Sequence, residues 1–293
     1  MKTQSANKGA SRLLSLPAFL ILAVFFVVPL LWIFLLSFMT PGPAGTVAMD
    51  ASLVNYQRFL TDDYYLKELL GRTVRLSSWA TLIAVIVGYI GAYVIVRAKQ
   101  TWQPWLIFLC MCPLWVNLVV RTLSLMIILD RAGPVNKLLV SMGFLDRPTQ
   151  LLYNETSVLI GMVQVAVPFV VLSLYGVLQS IPRQLEQAAM SVGANPLAAF
   201  RRVTLPLSIP GVLAGTVLAF GINMESFVVP ILLGGGRVRF MSVAAYEAVT
   251  VSNNLPFAAT IGVVLLIVTM AMLGVFQWLV NSVNRMPIGM RAH

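Results

Sequence analysis

The sequence is poor in charge, in histidine and in cysteine, and each shortage excludes something. Charged residues make up 10% of the 293 residues, whereas a soluble domain carries about 25%. So little charge cannot clothe a water-facing surface, which excludes a soluble enzyme. The single histidine is His293, so no histidine-based catalytic or metal site can be assembled. Cys110 and Cys112 sit together in an apolar run. They provide neither a disulfide framework nor a zinc spacing. The chain has no phosphate-binding loop: Gly234-Gly235-Gly236 lacks the Lys-Ser/Thr ending such a loop requires. The expectation is no catalytic residue, no metal, no cofactor and no ATP site on this chain.

What is abundant is apolar. Hydrophobic residues reach 59% and mean hydropathy is +0.87, which excludes a disordered chain. Lys and Arg number 20 against 10 Asp and Glu. At this hydropathy the basic excess reads as membrane-flanking loops rather than as a nucleic-acid patch. Lipid is the expected surrounding and nucleic acid is not an expected partner.

Six stretches are long enough to cross a bilayer: 16–38, 76–96, 104–129, 156–179, 209–233 and 256–280. About 20 apolar residues suffice, and backbone groups in lipid must bond within their own segment, so these are helices. The alternating pattern of a β-barrel is absent. The fold class is all-α integral membrane, with six transmembrane helices. The first span follows Lys2, Lys8 and Arg12, but its 23-residue apolar core is too long for a signal peptide. It reads as a retained first helix.

Lys/Arg bias sets the orientation. With the N-terminus inside, the inner segments 1–15, 97–103, 180–208 and 281–293 hold 10 Lys/Arg in 64 residues. The outer segments 39–75, 130–155 and 234–255 hold 9 in 85 residues, together with 8 acids. The higher inner density points to both termini inside.

One inner segment is long: 180–208, SIPRQLEQAAMSVGANPLAAFRRVTLPLS. Ser180 with Pro182, and Asn195 with Pro196, are two helix starts. Gly193 ends the first helix, and Pro206 is expected to stop the second. Two short helices should therefore lie at the membrane face. Leu185, Ala188, Ala189, Val192, Leu197 and Phe200 supply small and apolar contact surface, and Arg201 and Arg202 face a polar partner or anionic lipid. Read from the residues alone, the loop either lies on the membrane or docks a protein.

The spacing of this loop resembles a family signature. Gln187-Ala188-Ala189, then Gly193, Val203 and Leu205-Pro206 match the EAA loop of bacterial ABC-importer permeases throughout. The motif glutamate is Gln187 here, with Glu186 one place earlier, and the motif isoleucine is Val203. The resemblance implies a type I importer permease fold whose coupling helices dock into a groove of an ATPase subunit. On that reading Glu186, Gln187, Ala188, Ala189, Gly193, Phe200, Leu205 and Pro206 form the ATPase-coupling set. The stretches 113–129, 133–143 and 225–236 are similar to the spermidine/putrescine branch. The likeness covers roughly residues 70–280, the permease domain. Residues 1–69 add a tail, a first helix and an outer segment, and 281–293 form an inner tail. The resemblance implies a bacterial inner-membrane location and three kinds of partner: a second, related permease chain, a cytoplasmic ATPase dimer and a periplasmic solute-binding protein. Ferric ion, an opine or an organic phosphonate are other cargoes of the same family.

Ionisable and polar residues within spans are costly and mark candidate pathway positions. Arg121 and Asn117 lie four apart in 104–129 and should share one helix face. They line the pathway, or they satisfy the backbone. Glu225, near Asn223, suits an amine cargo or a pairing with Arg121. Gln164 and Pro168 interrupt 156–179, as a hinge or as a packing kink. Gly211-x-x-x-Gly215, Gly88 and Gly91 permit close helix packing. Trp79, Trp102, Trp105 and Trp278 anchor the membrane interface. Residues 54–74 show partial helical periodicity and either cover the outer mouth against the binding protein or lie on the surface. An ion-coupled secondary transporter would need broken helices in matching halves, and an intramembrane enzyme would need a clustered nucleophile or metal set. Neither pattern is present in the sequence.

Overall fold

A computed structural model describes residues 4–42 and 46–284. Residues 1–3 and 285–293, which include Lys2 and His293 and most of the expected inner tail, lie outside the described residues. α1 (Gln4–Leu36) leads to two short strands, β1 (Thr40–Pro41) and β2 (Val47–Ala48). These pair antiparallel, with Thr40 opposite Ala48. Next comes α2 (Val54–Thr61). A π-helical segment, Tyr64–Leu70, runs into α3 (Gly71–Arg97). Then follow α4 (Gln103–Trp115), α5 (Leu118–Leu129), α6 (Pro134–Ser141), α7 (Glu155–Ser180), α8 (Arg183–Ser191) and α9 (Pro196–Ala199). After a π-helical turn at Phe200–Thr204 come α10 (Leu205–Met224), α11 (Val228–Gly234), α12 (Met241–Thr250) and α13 (Leu255–Asn284).

Among the described residues, four helices are long and apolar enough to cross a membrane: Tyr64–Arg97, Glu155–Ser180, Pro196–Met224 and Leu255–Trp278. Gln103–Trp115 and Leu118–Ser141 pass the same test as a pair, and Leu20–Leu36 is a shorter apolar helix. The six expected stretches are all helical, but two of them are broken.

The first break corrects the expectation of one straight helix over 104–129. The chain bends by 98° between Trp115 and Leu118. Asn117 leaves the helical region (φ −52°, ψ 134°), and its Oδ1 accepts a hydrogen bond from the Val119 N–H at 2.8 Å. An asparagine cap in this position starts a new helix rather than continuing the old one.

The second break divides 209–233: α10 ends at Met224 and α11 starts at Val228. Pro230 has no N–H for the Ser226 carbonyl and its ring would collide with it. That carbonyl instead accepts from Ser242 Oγ at 2.5 Å. A further correction concerns Pro206, expected to stop a helix. The helix runs on from Pro196 to Met224. The π-helical turn accommodates the proline, with the Leu205 N–H reaching back to the Phe200 carbonyl. The extra residue in the turn re-registers the ladder just where the proline N–H is missing.

The chain divides into two compact units. One holds the chain up to Asp63 together with Ala244–Leu266. Within it Thr260 Oγ1 donates to the Ser37 carbonyl at 3.0 Å, and Asn55 Nδ2 donates to the Met39 carbonyl at 2.8 Å. The Arg58 guanidinium lies 4.5 Å from the Phe257 ring centre.

The other unit holds Tyr64–Val243 and the chain from Ile267 onward. Its core is α3, α7 and α10, packed through small residues. Ala84, Ala92, Ala166 and Ala219 are buried with Val170 and Leu174. A second cluster gathers Leu76, Leu125, Val158, Met162, Leu233 and Phe240. α7 runs through Pro168 without interruption. At its start Asn154 and Ser157 form a capping box. Arg75 Nη2 reaches both carboxylate oxygens of Glu155 there, at 2.6 and 2.7 Å. Asn136 is fully buried: its Nδ2 donates to the Asp130 and Thr149 carbonyls and its Oδ1 accepts from the Thr149 N–H. It fixes the turn between α6 and α7.

Close approach is enforced by glycine. A Cβ on Gly88 would sit 2.6 Å from Val170 Cγ1 and 2.8 Å from its Cβ. Gly211 and Gly215 face Val177 and Val170 at 3.0 and 3.3 Å by the same measure. Gly88→Ala gains about 1 kcal/mol of helix propensity. Overpacking a dense core costs about 1–3 kcal/mol, and the clash falls on the stem of a buried β-branched side chain, which cannot swing away. The variant should therefore unfold at lower temperature than wild type in detergent, and adding Val170→Ala should recover part of the loss. A Gly88→Ala protein as stable as wild type would contradict this packing.

Outward-facing surfaces of the helices are strongly apolar: Phe25, Trp79, Ile127 and Trp278 are each more than half exposed. In water such a surface would be untenable, while in lipid it is the expected solvent face.

Candidate functional site

The α8–α9 loop is built by local rules. Pro182 enters in an extended conformation (φ −63°, ψ 129°), and α8 places Glu186 in its first turn, where the helix dipole favours an acid. Gly193 takes φ +95°, a left-handed value that L side chains resist. The Gly193 N–H bonds to the Met190 carbonyl and the Ala194 N–H to that of Ala189, closing α8. Asn195 then caps α9, accepting from the Ala198 N–H at 2.7 Å, with Pro196 in the first turn. The first expected short helix is present, whereas the second is only the opening turn of the helix that runs on to Met224.

Glu186 holds the loop to the bundle. One carboxylate oxygen pairs with Arg97 Nη2 at the end of α3, and the other accepts from Thr204 Oγ1 in the π-helical turn. The Glu186 side chain is only 13% exposed. Arg183 Nη2 donates to the Val96 carbonyl at 2.7 Å. Gln103 Nε2 donates to the carbonyls of Val96 and Ala98 at 3.1 Å. Together these side chains satisfy the last carbonyls of α3, groups a helix end leaves without partners. Phe200 packs edge-on against Tyr93 and Tyr89, at 5.2 and 5.8 Å between ring centres. The Tyr89 hydroxyl lies 2.9 Å from Ser208 Oγ. Arg97 also lies over the Tyr93 ring.

The opposite face of the loop is bare. Gln187 and Ala188 are exposed and Ala189 is half-buried. Val192 and Leu197 are 86% and 64% exposed, and Leu185 and Met190 are exposed beside them. Leu205 is exposed and Pro206 half-buried at the start of α10. A Cβ on Gly193 would meet nothing within 4 Å, so that turn projects into open space. Of the residues singled out from sequence, Glu186 and Phe200 turn inward, while Gln187, Ala188 and Gly193 turn outward. Arg97 and Thr204 were not among them. Nothing local marks Arg97 as a partner of a residue 89 positions later, and Thr204 reads as an ordinary helical threonine.

The candidate pathway residues divide. Arg121 and Gln164 line one hollow of about 390 Å³, with Cys112, Pro113 and Ser124. Arg121 Nη1 donates to the Pro113 carbonyl at 3.0 Å, spanning the break between α4 and α5. The expectation that Asn117 and Arg121 share a helix face is corrected: Asn117 is the cap of α5, outside the helix that carries Arg121. Asn223 is buried and donates to Thr81 Oγ1 at 3.1 Å, tying α10 to α3. Glu225 ends α10 and is exposed, and its carboxylate has no partner among the described residues. Glu225 and Arg121 are therefore not an ion pair. Among the described residues no group of three His, Cys, Asp or Glu is placed to hold a metal ion.

Comparison with known proteins gives matches over most of the chain. Residues 80–285 match the model of the family described as binding-protein-dependent transport system inner membrane component. The chain is 30% identical over 263 residues to the spermidine/putrescine transport system permease protein PotB of Haemophilus influenzae, covering 89% of this chain and 91% of that protein. It is 32% identical over 255 residues to the PotB of Escherichia coli K12, covering 87% and 92%. A crystal structure of a bacterial alginate ABC transporter, in complex with an alginate-bound periplasmic protein, has a chain of the same fold. That chain superposes with a TM-score of 0.77 at 16% identity, covering 97% of this chain and 98% of its own.

Proposed function

Because this chain belongs to the binding-protein-dependent transport system inner membrane component family, we propose that it is a permease chain of an ATP-driven importer for a small polyamine. The observation that carries the reading is the α8–α9 loop. It is clasped firmly to the bundle on one side and offers an unpartnered apolar face, Leu185, Met190, Val192 and Leu197, on the other. A loop built in this way suits docking of an ATPase subunit in the cytoplasm. Both chain termini then lie inside, in accord with the Lys/Arg bias.

ATP hydrolysis belongs to a cytoplasmic ATPase dimer, and a periplasmic binding protein delivers the cargo. A second permease chain completes the pathway, since one chain presents too few helices to enclose it. Closure of the ATPases displaces the α8–α9 loop, and the attached helices reopen the pathway inward. No covalent chemistry takes place on this chain. Polyamine is favoured by the likeness to the two PotB proteins and by the exposed carboxylate of Glu225 at the α10–α11 break, which suits an ammonium group by charge and hydrogen bonding.

The test is uptake into right-side-out proteoliposomes holding this chain with its partner permease, ATPase and binding protein. ATP is sealed inside and no ion gradient is imposed. Labelled putrescine and spermidine should enter, and an unrelated amino acid should not. An assembled, ATP-hydrolysing complex that fails to take up either polyamine would remove the cargo from this reading. Failure of the ATPase to associate would remove the docking loop as well.

A further inference from the structure

Of the two departures of this chain from the family-like motif, one moves a charge: the acid stands at 186 and a neutral glutamine at 187. Neighbours on a helix point about 100° apart, so the two side chains cannot do the same work. Glu186 is turned into the protein, and Gln187 lies exposed on the docking side.

Glu186 joins three elements at once: its own α8, the end of α3 through Arg97, and the π-helical turn before α10 through Thr204. These are also the elements that an incoming push on the loop must move. α3 and α10 are core helices of the unit, and Asn223 links them again further along through Thr81. The other attachments between loop and α3 are a hydrogen bond to a backbone carbonyl, from Arg183, and the ring contacts of Phe200. Neither matches a half-buried carboxylate–guanidinium pair in strength or direction.

Resting on the importer reading above, we propose that the Glu186–Arg97 pair is the latch through which displacement of the α8–α9 loop is transmitted to α3, so that Glu186 is a positioning residue of transport rather than a docking contact. Without the latch the loop still binds the ATPase through its exposed face, and ATP is still hydrolysed. The loop then moves against a helix it no longer pulls, and hydrolysis is spent without transport.

Four proteins test this in the reconstituted complex: Glu186→Gln, Arg97→Gln, the charge swap Glu186→Arg with Arg97→Glu, and Gln184→Ala as a control at an exposed position of α8 outside the coupling set. Each is measured for co-purification of the ATPase, for ATP hydrolysis, and for substrate taken up per ATP hydrolysed. Glu186→Gln keeps an oxygen for Thr204 and loses only the ion pair. Its uptake per ATP should fall on the order of tenfold, within the usual range of coupling factors, with the ATPase still bound. Arg97→Gln should match it, and the swap should recover at least about half of the loss, the non-additivity expected of contacting residues. Gln184→Ala should leave uptake per ATP unchanged.

Normal uptake per ATP in Glu186→Gln would overturn the latch. So would loss of ATPase binding in that variant, which would make Glu186 a docking residue. If either single variant fails to accumulate in the membrane, the swap decides: recovery of coupled uptake supports the latch and continued failure counts against it. Absence of the ATPase from the wild-type preparation would strike the importer reading instead, so the two failures are distinguishable.

Discussion

Gly193→Glu is expected to abolish transport while leaving the membrane bundle folded. Gly193 sits at φ +95°, where an L residue pays about 1–2 kcal/mol. Space is not the obstacle, because an added Cβ would meet nothing within 4 Å. The strain on the turn and the new charge both fall on the exposed side of the loop, beside Val192 and Leu197. A carboxylate forced into an apolar interface must be desolvated without a partner, which costs several kcal/mol. ATPase co-purification and uptake should each drop by about a hundredfold or more, the factor that roughly 3 kcal/mol represents. Gly193→Ala separates the two causes, since it carries the backbone strain without the charge. It should retain most ATPase binding. Wild-type uptake by Gly193→Glu in a complex of normal composition would refute the docking assignment of this loop.

The second large effect is expected at Glu225. The carboxylate is exposed at the α10–α11 break and has no partner among the described residues. Removing its charge should therefore cost little stability, within about 0.5 kcal/mol for an exposed site. Its proposed contact is with the cargo. Glu225→Gln should raise the KM for spermidine uptake about tenfold, a loss in line with a charge-assisted hydrogen bond of about 1.5–3 kcal/mol. The unfolding temperature in detergent should not move. A change confined to stability, or unaltered uptake kinetics, would return Glu225 to a purely local role. Arg121 offers a contrast. It is tied to the Pro113 carbonyl across a helix break, so its removal should disturb the α4–α5 bend as well as the hollow it lines.

Much of the molecule was legible before its coordinates. Apolar runs of bilayer length specify helices because lipid offers the backbone no other partner. All six stretches are helical accordingly. The two-helix loop was legible for an equally local reason: Pro182, Gly193, Asn195 and Pro196 restrict their own backbone angles and those of their neighbours. The helix breaks were harder to see. Hydropathy averages over Asn117 and Pro230, whereas caps and missing donors act at single residues. The stop expected at Pro206 failed because a π-helical turn absorbs the proline, and that turn is held by Phe200 against two tyrosines of α3.

The amino-acid sequence alone establishes the membrane setting, the helical class, the absence of a phosphate-binding loop and the motif spacing of the α8–α9 loop. Each depends on composition or on residues close along the chain. The tertiary structure alone decided which charge meets which. It set Glu186 on Arg97 and Thr204, left Gln187 bare, buried Asn223 against Thr81, and kept Glu225 apart from Arg121. Those pairings join residues from 18 to 142 positions apart, and they follow from how closely α3, α7 and α10 approach. That approach is set by the fit of small residues such as Gly88 against Val170, a property of packed surfaces that no single stretch of chain carries.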